Sequence, residues 1–195
     1  MKDFSGLTVS LIGRPGCGKS TQCKYLHAYF EELGYKDIVH FSVGALFRDL
    51  AVKDTVFGHW VKQILDEGGL PPDWIALSLW IEELKNRLIR KDQILIIDGA
   101  PRRLIEAEAL DNILRDIGRP KVVPINLEIS EEESRRRLGK RGRDFDDPIA
   151  NENRLGWFNT NVIPVFNHWE NSLLVIDGNG PKEEVWERLK NGICN

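Results

Sequence analysis

Apolar residues along this chain fall into short unbroken runs, separated by longer stretches in which they recur every three or four positions. The runs LTVSLI (7–12), DIVHF (37–41), QILIID (93–98), KVVPINLEI (121–129) and LLVID (173–177) predict five strands. The third is the strongest, since its single charge, Asp98, comes last; in the fourth, Pro124 weakens the register. Between the strands, Cys23, Leu26, Ala28, Tyr29, Phe30 and Leu33 predict a helix from Lys19 to Leu33, ended by Gly34. Further helices are predicted over 43–52 with Ser42 as N-cap, over 56–69 ended by Gly68 and Gly69, and from a capping Asp73 to about Arg90. Others cover 103–116 and 130–142, the latter with Ser130 and Glu133 as a capping box. RGRDFDDPIANEN (141–153) has no periodicity and is expected to be a charged loop, followed by a helix to about Glu170 and a last one over 183–191. Strands alternating with helices make an α/β fold, a parallel sheet covered on both faces.

Composition narrows the class. A chain of 195 residues with 42% hydrophobic and 29% charged residues suits one globular domain, with irregular segments as insertions. Lys+Arg 27 against Asp+Glu 30 lacks the basic excess of a nucleic-acid binder. No segment approaches the roughly 18 apolar residues of a membrane helix, and Met1 is followed by Lys2, Asp3 and Phe4, not by an apolar leader. The chain reads as cytoplasmic, without membrane or nucleic-acid partners, and a monomer. Cys17, Cys23 and Cys194 lack metal-ligand spacing and are expected to be free thiols.

GRPGCGKSTQ (13–22) carries the first chemistry. Gly13 and Gly18 bracket four residues and precede Lys19 and Ser20, a complete phosphate-loop pattern between a predicted strand and a predicted helix. Glycines let successive backbone N–H groups turn inward around a phosphate, and the helix aims its positive end at the same point. Lys19 supplies a charge for the outer phosphates, and the Ser20 hydroxyl can reach Mg²⁺. Gly13, Pro15, Gly16, Cys17, Gly18, Lys19, Ser20 and Thr21 are therefore the candidate ATP-binding residues. Asp98, at the end of a strand on the same sheet edge, can hold Mg²⁺ through its water shell.

A phosphate loop alone does not separate a kinase from a switch or a motor. The chain resembles the adenylate kinase family of nucleoside monophosphate kinases through GRPGCGKSTQ, HFSVGALFR, GGLPPD, DGAPRR and the two arginines of GRDFDDPIANENR. These matches run in family order from about residue 7 to 181. The resemblance implies a P-loop kinase fold of five parallel strands, with a monophosphate-binding insertion at about 42–73 and a short lid at about 141–153. It implies Mg²⁺ with ATP as donor and a nucleoside monophosphate as acceptor. It assigns Arg48 and Arg102 to the monophosphate, Arg141, Arg143 and Arg154 to the transferred group, and Arg137 to the donor adenine. Ser42, Val43, Gly99 and Glu106 complete the acceptor candidates. Catalysis then rests on Lys19, Arg102, Arg141, Arg143 and Arg154, because two nucleotides exchanging a phosphoryl group need converging positive charge.

Two positions depart from the family where they touch the acceptor base. Adenylate-specific members have threonine where this chain has Val43, and glutamine where it has Glu106. An amide can donate to adenine's ring nitrogen and accept from its amine; a carboxylate only accepts. Guanine offers a carboxylate two adjacent donors, and cytosine offers one amine beside an acceptor. AMP is the family default, yet these residues suggest another base. The alternative is that Glu106 is an exposed helix residue like Glu108. Ala100 replaces a usual aromatic, and Ser20 a usual glycine.

The remaining candidates are expected to be structural. His27, His40, His59 and His168 have no partners at useful spacing, and phosphoryl transfer between phosphate oxygens needs no general base. Trp60, Trp80, Trp157, Trp169 and Trp186 are expected to pack helices, and Asp146 and Asp147 to pair with the lid arginines. A kinase of another small molecule and an idle nucleotide-binding module are the competing readings.

Overall fold

The computed structural model describes residues 2–141 and 147–194, Arg141 by its backbone alone. Strands β1 (Thr8–Ile12), β2 (Val39–Ser42), β3 (Leu95–Asp98), β4 (Val123–Glu128) and β5 (Leu174–Asp177) form one sheet in the order β2-β3-β1-β4-β5. Every pair is parallel. The helices are α1 (Lys19–Glu32), α2 (Val43–Ala51), α3 (Val56–Asp66), α4 (Asp73–Arg87), α5 (Leu104–Asp116), α6 (Glu131–Arg141), α7 (Pro148–Trp157), α8 (Ile163–His168) and α9 (Lys182–Cys194). The five-stranded parallel sheet flanked by helices is the expected fold.

Both faces of the sheet are apolar because successive side chains of a strand point to opposite sides. Leu95 and Ile97 join a core with Phe41, Phe47, Trp80 and Leu110. Ile94 and Ile96 join a second core with Leu26, Phe30, Leu127 and Leu189, beneath α1 and α9. Pro124 fits because β4–β5 pairing starts only at Ile125, leaving the proline outside that ladder.

Three local readings change. Asp73 is the first residue of α4 rather than its cap; Pro72 takes the cap position, and the Asp73 carboxylate accepts from the N–H of Trp74 at 3.0 Å. Half of the capping box forms: Glu133 N–H donates to Ser130 Oγ at 3.1 Å, but the Glu133 carboxylate turns to Arg136 and Arg137. The loop expected over 141–153 is helical from Pro148 onward. Asp147 caps α7 by accepting from the N–H groups of Ile149 and Ala150 at 2.9 and 3.0 Å, and Pro148 lacks the N–H that a first helical residue would leave unbonded.

The long helix expected up to Glu170 is broken by a π-helical segment, Phe158–Val162. Side chains of Thr160 and Asn161 bond back to the carbonyls of Gly156 and Trp157 where the turn widens. Such turns change the helical phase, and here Trp157, Phe158 and Val162 all come to line one cavity.

Candidate active site

A cavity of about 410 Å³ opens at the carboxyl ends of β1 and β3. Its lining includes Gly13, Pro15, Gly16, Gly18, Lys19, Ser20 and Thr21 from the phosphate loop and α1, and Asp98 from β3. Register brings Asp98 beside Leu11 of β1 and Ser42 of β2, so a parallel sheet alone places the carboxylate next to the loop.

Glycine is required at the loop's entrance. Gly13 has φ 145, and a Cβ there would meet Leu127 O at 2.5 Å and Cys17 Sγ at 2.9 Å. Gly18 caps α1 in the left-handed region with φ 97, and no side chain caps the helix, so its first N–H groups remain available to an anion. Lys19 Nζ donates to the carbonyls of Gly13 and Arg14 at 2.8 and 3.2 Å, folding its charge back across the loop. Cys17 does not line the cavity. Its side chain is buried in the second core, with Sγ 3.4 Å from Lys19 Nζ.

The opposite wall is made by Ser42, Gly44, Phe47 and Arg48 with Leu65, Gly69, Gly99 and Arg102. A Cβ on Gly44 would lie 3.4 Å from both Arg48 Nη1 and Arg102 Nη2, so two guanidinium groups converge over this glycine. Arg102 Nε donates to Gly99 O at 2.7 Å. Burial pushes the Arg102 pKa down, with Arg48 and Arg103 acting in the same direction against Glu106 and Asp98. Two like charges converging on a half-buried cavity wall form a site for an anion.

Glu106 is not an exposed helix residue: it is 1% exposed. Its Oε2 accepts from the N–H of Arg102 at 2.9 Å, and its Oε1 has no partner. Burial raises its pKa, opposed by the Arg102 N–H and by the charges of Arg102 and Arg103. Val43 is fully buried in the first core. Neither residue lines the cavity, and both lie beneath its acceptor wall. Arg103 donates to the carbonyls of Pro71 and Leu70 at 2.5 and 3.2 Å, tying the GGLPPD segment to α5.

Arg154 lines the cavity from α7, with Nη1 on Asn151 Oδ1 at 3.0 Å and Nη2 on Leu65 O at 3.3 Å. Arg137 stands behind the phosphate loop, its Cβ 3.3 Å from the place a Gly16 Cβ would take. Its guanidinium bonds Glu133 at 2.6 Å and Gly178 O at 3.1 Å. Arg143 and Asp146, and the Arg141 side chain, lie outside the described residues. Asp147 caps α7 through Oδ1, and its expected partners, the Arg141 and Arg143 side chains, lie outside the described residues.

Trp157 packs against the first core as expected and in addition lines the cavity, its ring centroid 5.7 Å from the Arg102 guanidinium carbon. Gly44, Phe47 and Leu65 were also not singled out by motif. Gly44 and Phe47 stand inside the HFSVGALFR match, and their place between Ser42 and Arg48 is the signal the sequence offers. Among the described residues no histidine lines the cavity. His40 is lowered in pKa by burial, and His168 bonds Asp111 at 2.7 Å.

A family model for adenylate kinase matches residues 11–173. The chain is 35% identical over 186 residues to an adenylate kinase of Cyanothece sp., covering 92% of this chain and 91% of the relative. It is 35% identical over 191 residues to an adenylate kinase of Thermus thermophilus, covering 95% and 96%. An adenylate kinase of Xylella fastidiosa is 34% identical over 187 residues, covering 92% and 95%.

Proposed function

Because the chain belongs to the adenylate kinase family and is a nucleoside monophosphate kinase, we propose that it transfers the terminal phosphoryl group of Mg²⁺-ATP, directly and reversibly, to a monophosphate whose base is not adenine. The observation that carries the reading is one cavity walled on one side by the phosphate loop and on the other by the paired guanidinium groups of Arg48 and Arg102. A binding module for a single triphosphate has no use for a second anion site facing the first.

In this reading the loop N–H groups, the α1 N-terminus and Lys19 hold the donor phosphates, and Arg137 flanks the donor side. Arg48 and Arg102 hold the acceptor phosphate. Arg154, with Arg141 and Arg143 of the lid, neutralises charge on the group in transit. The Ser20 hydroxyl and Asp98 carboxylate share the cavity, and no group of three or more metal-binding side chains exists among the described residues. That donor set fits a Mg²⁺ that arrives with ATP and keeps its water and phosphate ligands. Closure over both nucleotides excludes the water that would hydrolyse ATP. No helix among the described residues is long and apolar enough to cross a membrane.

The base preference rests on Glu106. Glu106 lies beneath the acceptor wall, and in this reading its unpartnered Oε1 meets the base once the acceptor enters; in its carboxylate form it accepts and does not donate, which suits guanine's adjacent N–H groups and opposes adenine's ring nitrogen. A mismatched base hydrogen bond costs about 1–3 kcal/mol, roughly a tenfold preference or more. A coupled assay with ATP and each of AMP, GMP, CMP, UMP and dTMP tests both levels. Transfer to some monophosphate supports the kinase, and AMP having the highest kcat/KM overturns the base reading alone.

A further inference from the structure

Trp157 has chemistry that phosphoryl transfer by loop and arginines leaves unused. It ends α7, and its indole Nε1 donates to Gly68 O at 3.0 Å, just past the carboxyl end of α3. Its ring lines the cavity against Arg102. Trp80 shows what a packing tryptophan looks like here: 2% exposed, in the first core, with its Nε1 unpartnered.

The last carbonyls of a helix have no partner within it. At the end of α3 they are met by α7 side chains at three points: Arg154 on Leu65 O at 3.3 Å, Asn153 on Glu67 O at 2.7 Å and Trp157 on Gly68 O. The backbones approach so closely that a Cβ on Gly68 would overlap the Ala150 carbonyl. Trp157 also lies against Arg102. Gly99 O accepts from the Nε of that guanidinium at 2.7 Å, and the indole ring lies within reach of a cation–π attraction to it, 5.7 Å from centroid to guanidinium carbon.

We propose that Trp157 is a positioning residue for the phosphoryl acceptor, its N–H holding the 42–73 segment at Gly68 and its ring orienting Arg102 in the cavity. The inference rests on the nucleoside monophosphate kinase reading and is independent of which base is preferred.

The two contacts separate in two variants, assayed with whichever of AMP, GMP, CMP, UMP and dTMP the wild type uses best. Trp157→Phe keeps a ring and loses the N–H, so the acceptor KM rises about three- to tenfold while kcat stays within about twofold. Trp157→Leu loses both contacts, and kcat falls by about tenfold in addition. The KM for ATP stays at the wild-type value in both. Acceptor KM and kcat unchanged in both variants overturn the proposal, as does a parallel rise of the ATP and acceptor KM with a lowered melting temperature, the signature of general packing. Should Trp157→Leu fail to fold, the KM split in Trp157→Phe decides alone. A wild-type chain that phosphorylates none of the five overturns the activity reading and this inference with it.

Discussion

The proposed donor half of the cavity comes from one continuous stretch, Gly13 to Thr21, whereas the proposed acceptor half draws on α2, the end of α3, the β3–α5 turn and α7. The first is built mainly of backbone: glycines at positive φ, an uncapped helix start and a lysine folded over its own loop. The second is built of side chains, Arg48 and Arg102 meeting over Gly44 and Trp157 lying against Arg102. A backbone cradle depends on residues that are neighbours in sequence. A side-chain cradle depends on segments that only the fold brings together, so it is altered from many directions and can change its ligand without loss of the other half.

The sharpest break in the comparison is Lys19→Met. Turnover in the coupled assay is expected to fall by about 10²–10³ or more, while calorimetry shows acceptor binding retained. Wild-type turnover would remove Lys19 from the mechanism.

Gly44→Val breaks the other half. Branched carbons placed beside both guanidinium groups force them apart, so kcat/KM for the acceptor falls by about tenfold or more with the KM for ATP unchanged. A rise in both constants would mean the halves are not separately built.

Glu106→Gln sharpens the acceptor half by restoring a donor, and the ratio of kcat/KM for AMP over GMP is expected to rise about tenfold. The wild-type ratio should itself climb as pH falls, because burial raises the Glu106 pKa and the protonated acid regains a donor. In Glu106→Gln that pH dependence disappears. Stability follows the same sign. A carboxyl whose folded pKa is raised is tolerated best while protonated, so stability falls as pH rises through the folded value. Glu106→Gln should therefore melt above the wild type at pH 7, with the gap closing below the ordinary value of 4.5. Equal melting temperatures at pH 7 would mean the carboxylate is satisfied in solution.

The smallest effect is expected from Asp147→Ala, which removes the α7 cap. A lost cap costs about 1 kcal/mol, a shift of about 2–4 °C in melting temperature for a chain of this length. The donor half, lying apart from this cap, should keep its ATP affinity; a loss there would join the two halves through α7.

The apolar runs of the strands, the phosphate loop and the helix end at Gly34 carry signals written within a few residues of chain. The five apolar runs, the glycine spacing of 13–18 and Gly34 therefore marked the place of these elements before any fold was known. The Asp147–Pro148 pair carried a helix-start signal of this local kind, although the charges around it read as a loop. What tertiary structure decided is of another order. The same sequence is compatible with Glu106 on a wet helix face or buried under the acceptor wall, and packing of α5 chose burial. Arg48 and Arg102 lie far apart in the chain and meet only because β2 and β3 are neighbours in the sheet. Trp157 has helical periodicity suited to packing, and the approach of α7 to the end of α3 and to Arg102 places its ring in the cavity wall. Local interactions are written in adjacent residues, whereas burial and convergence depend on distances between segments, and those exist only once the chain has closed on itself.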